Sequence, residues 1–478
     1  MTQSSSVPFQ QQQIFRITLL LLVLWGIWTL RLAAPYYGIQ DAFRVWIPAA
    51  VQNYERYGTD QIGWMVTRDS APVDDINELT FYSHHPPLNV WLPTAFTWVL
   101  GNNEVAIRLV FPLAMMLAAS GFYVFVRRLY DAQTALWALL LFGITPLIAY
   151  FQPSYGHDPL GFMALMLFAA VFVNWMRHET EARYAALILL TILAVWTAWP
   201  AVIFVGCLGI VGMIIGDWRQ RGHIVLLGIT SVVALVSMLL LYEAQRAGSI
   251  DSILNAYVWR TSAATLREGS EPFTAVQWLR QISVYVLFFG SVMLVTMALL
   301  GLRAVWRKRR TSDTPWFWGA MLAGGVVYLS VFRNASFIHD YYSAFLIPAL
   351  TTPAALFITS QRRRRLSPLR LAGVAGVILQ SALILGLLLA STNQPTITTL
   401  IDEINTTVDP AVPVTVVFPA LDGNSGYDRV VEYYTERAIN WNGAVPADGV
   451  IFYCGTQAPD QAVPLGDSSC AIVRDPQS

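Results

Sequence analysis

From Ile14 to Ser391 the chain is dominated by long apolar runs that carry almost no charge, more than a water-soluble fold could hide. Crossing a hydrocarbon core of roughly 30 Å takes a helix of about 20 apolar residues. Eleven stretches read as spans, at about 14–33, 105–126, 133–151, 158–176, 184–198, 200–216, 223–241, 277–302, 316–332, 341–359 and 370–391. Composition agrees: 55% of the 478 residues are hydrophobic and 13% charged, against roughly 25% charged in a soluble domain. The stretch 184–216 would make one helix of about 50 Å, so a hairpin broken at Trp199-Pro200 is expected. Asn89 to Leu100 reaches only about 18 Å and reads as an interfacial or re-entrant helix.

Basic residues orient these spans, because short cytoplasmic loops accumulate Lys and Arg. With eleven spans and the N-terminus inside, the five inner loops hold sixteen basic residues. They are Arg127 and Arg128, Arg177 and Arg183, Arg219 and Arg221, five from Arg303 to Arg310, and five from Arg362 to Arg370. The three short outer connections hold one. Residues 1–13 read as a disordered cytoplasmic start without a cleavage site, and 14–391 as the transmembrane domain, with outer loops 34–104, 242–276 and 333–340. The formal net charge of zero does not point to nucleic acid.

The tail, 392–478, changes character. Val414 to Phe418, Gly449 to Tyr453 and Ala471 to Val473 are short β-like runs between turn residues, with a helical pattern over Arg429 to Ile439. The expectation is a small α/β domain on the outer face. Cys207 sits in an apolar run and reads as core, whereas Cys454 and Cys470 share the tail, where a disulfide is expected in an oxidising compartment.

Candidate chemistry gathers in the outer segments. Loop 34–104 holds eight Asp or Glu against three Arg, and aromatics that argue against disorder. It contains Asp41, the pair Asp74-Asp75, and His84-His85-Pro86-Pro87-Leu88. In the plain reading, favoured before context, Asp41 is an interfacial charge or cap, Asp74-Asp75 are solvated turn residues, and the His-Pro element starts an interfacial helix. Asp158 opens the fourth span and serves as an N-cap in the plain reading. His339, Tyr341 and Tyr342 open the tenth, where tyrosines also suit a membrane interface. Arg260, in the second outer loop, is otherwise an ordinary surface arginine. What these segments share is one membrane boundary, where anionic lipid head groups sit.

An Asp after the first span, then His85-Pro86-Pro87-Leu88, then Leu100-Gly101-Asn102-Asn103-Glu104-Val105-Ala106-Ile107-Arg108-Leu109, an Arg-rich inner loop and Asp158 follow one another in order. This order resembles the GT-C membrane glycosyltransferases, most of all the protein O-mannosyltransferase and aminoarabinose transferase branch. The likeness covers roughly residues 14–180; later only Tyr341-Tyr342 with Pro348 and Pro353 matches. It implies an all-α polytopic GT-C-like fold and inverting transfer of a sugar from a polyprenyl-phosphate donor to an acceptor on the outer face of the cytoplasmic membrane. The acceptor would be a glycan, a lipid or a protein.

Residue by residue, the resemblance makes Asp41 the general base or a metal ligand and Asp158 the second characteristic acid. His85 stands where aminoarabinose transferases carry a phosphate-contacting Lys. Ala42 departs from the Asp-Glu of many members, which weakens the case for a two-carboxylate divalent metal site at Asp41 and Asp158. A leaving polyprenyl phosphate gains charge and needs cationic or donor groups; Arg260, His85, His339 and Tyr342 are the candidates. No Gly-rich nucleotide loop is present, so no nucleotide cofactor is expected. The rival readings are a transporter or flippase of lipid-linked sugars, which would place charges at mid-membrane, and a membrane sensor.

Overall fold

The computed structural model describes residues 9–37, 44–153, 157–263, 272–307, 312–360, 367–392, 394–418, 427–441, 449–454, 463–464 and 470–474. Each expected span falls on a helix or on two helices in series. By length and composition, six helices among the described residues can cross a membrane, or seven counting one bent pair as a single span. That is fewer than eleven, because several expected spans are shorter or broken. Thr145-Pro146 divides 133–151, and a 3-10 helix, Asp340–Leu346, precedes Ile347–Thr359. The expected break before Pro200 falls at Ala198, whose extended backbone separates Glu181–Thr197 from Trp199–Ile215. Leu88–Leu100 is a 13-residue helix of about 20 Å.

The largest departure lies in 277–302, expected as one straight span. Ala275–Gly290 and Val292–Arg307 meet at 101°. Ser291 between them takes φ 88, a conformation that is unfavourable for a residue with a Cβ. Apolar surroundings would punish the freed backbone groups, and Gln380 answers them. Its Oε1 accepts from Ser291 Oγ at 3.0 Å and from Val292 N at 3.1 Å, and its Nε2 donates to the carbonyls of Leu287 and Phe288. One polar side chain in the helix Pro368–Ala390 thus makes the bend tenable.

The chain divides into two compact units. The first, residues 1–32, 83–89 and 108–385, is the helical body. Its core is aromatic: Phe122 meets Phe142 at 5.0 Å, Phe142 meets Phe162 at 6.1 Å, and Phe162 stacks on Phe345 at 4.3 Å. Val292–Arg307 crosses Ile347–Thr359 so closely that a Cβ at Gly301 would lie 1.8 Å from the Pro353 carbonyl oxygen, so only glycine is admitted there.

The second unit joins residues 33–82, 90–107 and 386–478. The tail therefore packs with much of the long loop that follows the first span. Tyr36 and Tyr37 lie against Tyr433 and Tyr434 at 5.5 to 6.1 Å, Tyr427 donates to the Tyr37 carbonyl at 3.0 Å, and the Tyr434 hydroxyl donates to Glu104. Asp74 and Asp75 are exposed, and Asp75 caps a short turn through Asn77 N. In the tail a five-stranded sheet runs β2-β1-β3-β5-β4, from β1 Val414–Val417, β2 Ile439–Trp441, β3 Val450–Cys454, β4 Val463–Pro464 and β5 Cys470–Arg474. β1 is parallel to β2 and β3, while β5 is antiparallel to β3 and β4. The helix expected to reach Ile439 ends at Thr435; Glu436 at φ 50 turns the chain into β2.

Cys454 and Cys470 face each other across β3 and β5 and form the expected disulfide. They are 16 residues apart, and closing a loop of about that length stabilises by roughly 3 kcal/mol. Replacing both by Ser should shift the tail's susceptibility to protease by that order. An unchanged cleavage rate would contradict a stabilising bond.

Candidate active site

Within the helical unit, three segments far apart in the chain meet at the His-Pro element. Pro86 and Pro87 have no backbone N–H to donate, and side chains meet the carbonyls of the two residues before them. Tyr242, near the end of Trp218–Gln245, donates to the His85 carbonyl at 2.8 Å. Trp199 Nε1 and Arg260 Nη1 both donate to the His84 carbonyl, at 3.0 and 3.1 Å. The His84 ring sits 3.2 Å from Ser252 Oγ. Four side chains from three helices therefore fix two consecutive residues.

Arg260 lies in the last turn of Ser249–Thr261, where a cation complements the helix dipole. Glu243 holds the other end of that helix, accepting from Gly248 N at 2.8 Å and Ile250 N at 3.0 Å. Arg333 and Asn334 hold the Arg260 end, donating to the carbonyls of Thr261, Ser262 and Trp259. The second guanidinium nitrogen of Arg260 lies 3.1 Å from His85 Nε2. A guanidinium only donates, so Nε2 is the acceptor here and the ring proton sits on Nδ1. His85 thus orients Arg260 in this arrangement, beyond the phosphate-binding part first assigned to it.

Beside this group lies a cavity of about 330 Å³. Leu235, Leu239, Ile250, Ile253 and Leu254 line it with Trp199, Tyr257 and Phe332, and His84 and Arg260 touch a wall that is otherwise apolar. The cavity suits the greasy chain of a ligand, with Arg260 at its edge.

The remaining candidates form a second cluster in the same unit. Asp158 is 0% exposed and lies in the first turn of His157–Arg177. The neighbouring Tyr328 packs its ring on Tyr342 at 5.3 Å. Tyr342 packs on His339 at 5.7 Å, and His339 stacks on Tyr341 at 5.2 Å. Tyr328 also packs on Phe332 at 5.4 Å, and Phe332 on Tyr257, one helical turn before Arg260. An aromatic path thus links the two clusters. Asp41 lies outside the described residues. Among the described residues no group of three or more His, Cys, Asp or Glu could hold a metal ion, so no chemical step below passes through one. Sequence reasoning missed Tyr242, Trp199, Asn334 and Tyr328, whose value lies in backbone carbonyls and rings far along the chain.

Residues 84–242 match the sequence model of the dolichyl-phosphate-mannose-protein mannosyltransferase family, a segment that runs from His84 to Tyr242. No curated protein matches the chain in sequence. ArnT from Cupriavidus metallidurans bound to undecaprenyl phosphate has a similar structure, with TM-score 0.62 and 13% identity, over 95% of this chain and 97% of ArnT. AglB, the oligosaccharyltransferase of Archaeoglobus fulgidus, aligns in a complex with an inhibitory peptide and a dolichol-phosphate at TM-score 0.55 and 13% identity, over 90% of this chain and 64% of AglB. The same enzyme tethered to an acceptor peptide aligns at 0.54 and 11%, over 89% and 63%. The chain is therefore a multi-pass membrane protein with the GT-C fold that ArnT and AglB share. Over residues 84–242 the sequence is similar to the protein mannosyltransferases, and over nearly its whole length the chain shares the fold of ArnT.

Proposed function

We propose that the chain transfers a sugar from a polyprenyl-phosphate-linked donor to an acceptor hydroxyl, with inversion, on the outer face of the cytoplasmic membrane. The observation that carries this reading is the apolar cavity with Arg260 and His84 in its wall. A prenyl chain would occupy the apolar part and its phosphate the Arg260 end. The relatives bound to undecaprenyl phosphate and dolichol-phosphate support the donor class, and the family match favours transfer over flipping. The sixteen basic residues of the inner loops and the tail disulfide support an outer tail and a cytoplasmic N-terminus.

The chemistry follows from what a hydroxyl and a phosphate need. Asp41, assigned by its place after the first span, takes the acceptor proton as the hydroxyl oxygen attacks the anomeric carbon. The bond from that carbon to the phosphate oxygen breaks on the opposite face, and its electron pair leaves with the polyprenyl phosphate. Arg260 meets the growing phosphate charge. His85 keeps the guanidinium aimed, and Tyr342 and His339 are further donors toward the same head group. Asp158, fully buried, is assigned as the second acid of the site.

A photoactivatable polyprenyl phosphate should label Ser249–Thr261 at Leu254 or Tyr257, and unlabelled polyprenyl phosphate should compete the label away. Labelling that ignores the competitor, or spares this helix, would contradict the lipid-donor assignment.

A further inference from the structure

Two amide side chains in the helical unit stand apart from the other buried polar groups. Asn89 and Gln152 are both 0% exposed. Neither Nδ2 nor Oδ1 of Asn89, and neither Nε2 nor Oε1 of Gln152, has a hydrogen-bond partner among the described residues. Gln380, by contrast, uses both ends of its amide to hold the Ser291 bend. Native proteins leave few buried polar groups unmet, and those left open call for a water, an ion or a catalytic or ligand role. An amide in dry surroundings is costly when unmatched.

Their positions point to the donor side of the site. Asn89 stands in the first turn of Leu88–Leu100, four residues after His85, whose ring meets Arg260. Gln152 follows Phe151, which packs on Tyr341 at 6.4 Å, and the same segment leads into Asp158. Both amides therefore belong to the segments that carry the candidate donor-side groups.

The open atoms also say what would satisfy them. Each amide offers an N–H₂ that must donate and a carbonyl that must accept. An ionised phosphate only accepts, so it would leave Oδ1 and Oε1 unmet. Hydroxyl groups do both, and a sugar ring presents them in adjacent pairs. We propose that Asn89 and Gln152 read the hydroxyl groups of the donor's sugar and select a neutral sugar. This rests on the transferase reading above and deepens it. Neutral amides suit uncharged hydroxyls, where a cationic amino sugar would call for a carboxylate.

The test compares bare undecaprenyl phosphate with its mannosyl, glucosyl, galactosyl and amino-sugar conjugates as ligands of the full-length protein in nanodiscs. The protein should bind at least one neutral conjugate more tightly than the bare carrier. Asn89→Leu and Gln152→Met should each weaken that conjugate by about 10- to 100-fold, the scale of one or two lost hydrogen bonds plus an unmet ligand group. Binding of the bare carrier should change less than about threefold, and Asn89→Ser should fall between. Without ligand, the melting temperature should stay level or rise, because a similarly shaped apolar side chain replaces an unmatched amide. A lower melting temperature with equal loss for both probes would assign the amides to structure and overturn the proposal. So would a protein that prefers no neutral conjugate over the bare carrier. Preference for a neutral conjugate without carrier release on adding acceptors would sink the transferase reading alone.

Discussion

Turnover of Asp41→Asn should fall by about 10² to 10⁴, with protein yield and donor affinity little changed. Asparagine keeps the size and most of the hydrogen bonding of the carboxylate, but it cannot take a proton from the acceptor hydroxyl. The loss should therefore appear in the chemical step. Asp74→Asn supplies the contrast. Asp74 is exposed, and its replacement should leave turnover within about threefold of the parent, as for other surface changes. Near-normal turnover in Asp41→Asn would remove the base, whatever the fold resembles.

Arg260→Gln is expected to act on binding and rate together. A charge-assisted hydrogen bond is worth about 1.5 to 3 kcal/mol, so donor affinity should weaken by roughly 10- to 100-fold. The rate should fall by about 10² or more, because the phosphate gains charge as it leaves. Arg260→Lys should recover part of the binding but not the fork that spans His84 and His85. The competing idea is that Arg260 merely clamps the His84 carbonyl, with Trp199 doing the same. A clamp would show itself as a lower melting temperature with binding and rate otherwise intact. His85→Gln keeps an acceptor for the guanidinium and should cost less than His85→Ala, which frees it.

How much of this the sequence reveals depends on the range of the interaction. The apolar runs declare the helices because burial in lipid acts on every residue of a span. β1, β3 and β5 show as short β-branched runs, but β2 and β4 have three and two residues, too few for any periodicity. The bend at Ser291 is invisible locally, since the residue that makes it tolerable lies 89 positions on. His85 and Arg260 each stand out as candidates, yet their pairing spans 175 residues and appears only in the folded chain. Tyr242 and Trp199 look like ordinary interface aromatics until their donors are seen on the His84 and His85 carbonyls. The tail reads as its own domain from composition, while its tyrosines pack on Tyr36 and Tyr37 of the first loop. Nothing local signals that, because tyrosine serves either role.

The most direct measurement of the central claim is carrier release. Purified full-length protein in detergent is given lipid-linked sugars, with and without glycan, lipid and peptide acceptors, and free polyprenyl phosphate is quantified. At least one donor and acceptor pair should yield free carrier and glycosylated acceptor in equal amounts, and the yield should collapse in Asp41→Asn. Carrier that stays glycosylated across the whole panel, in protein shown to bind it at the Arg260 cavity, would contradict transfer.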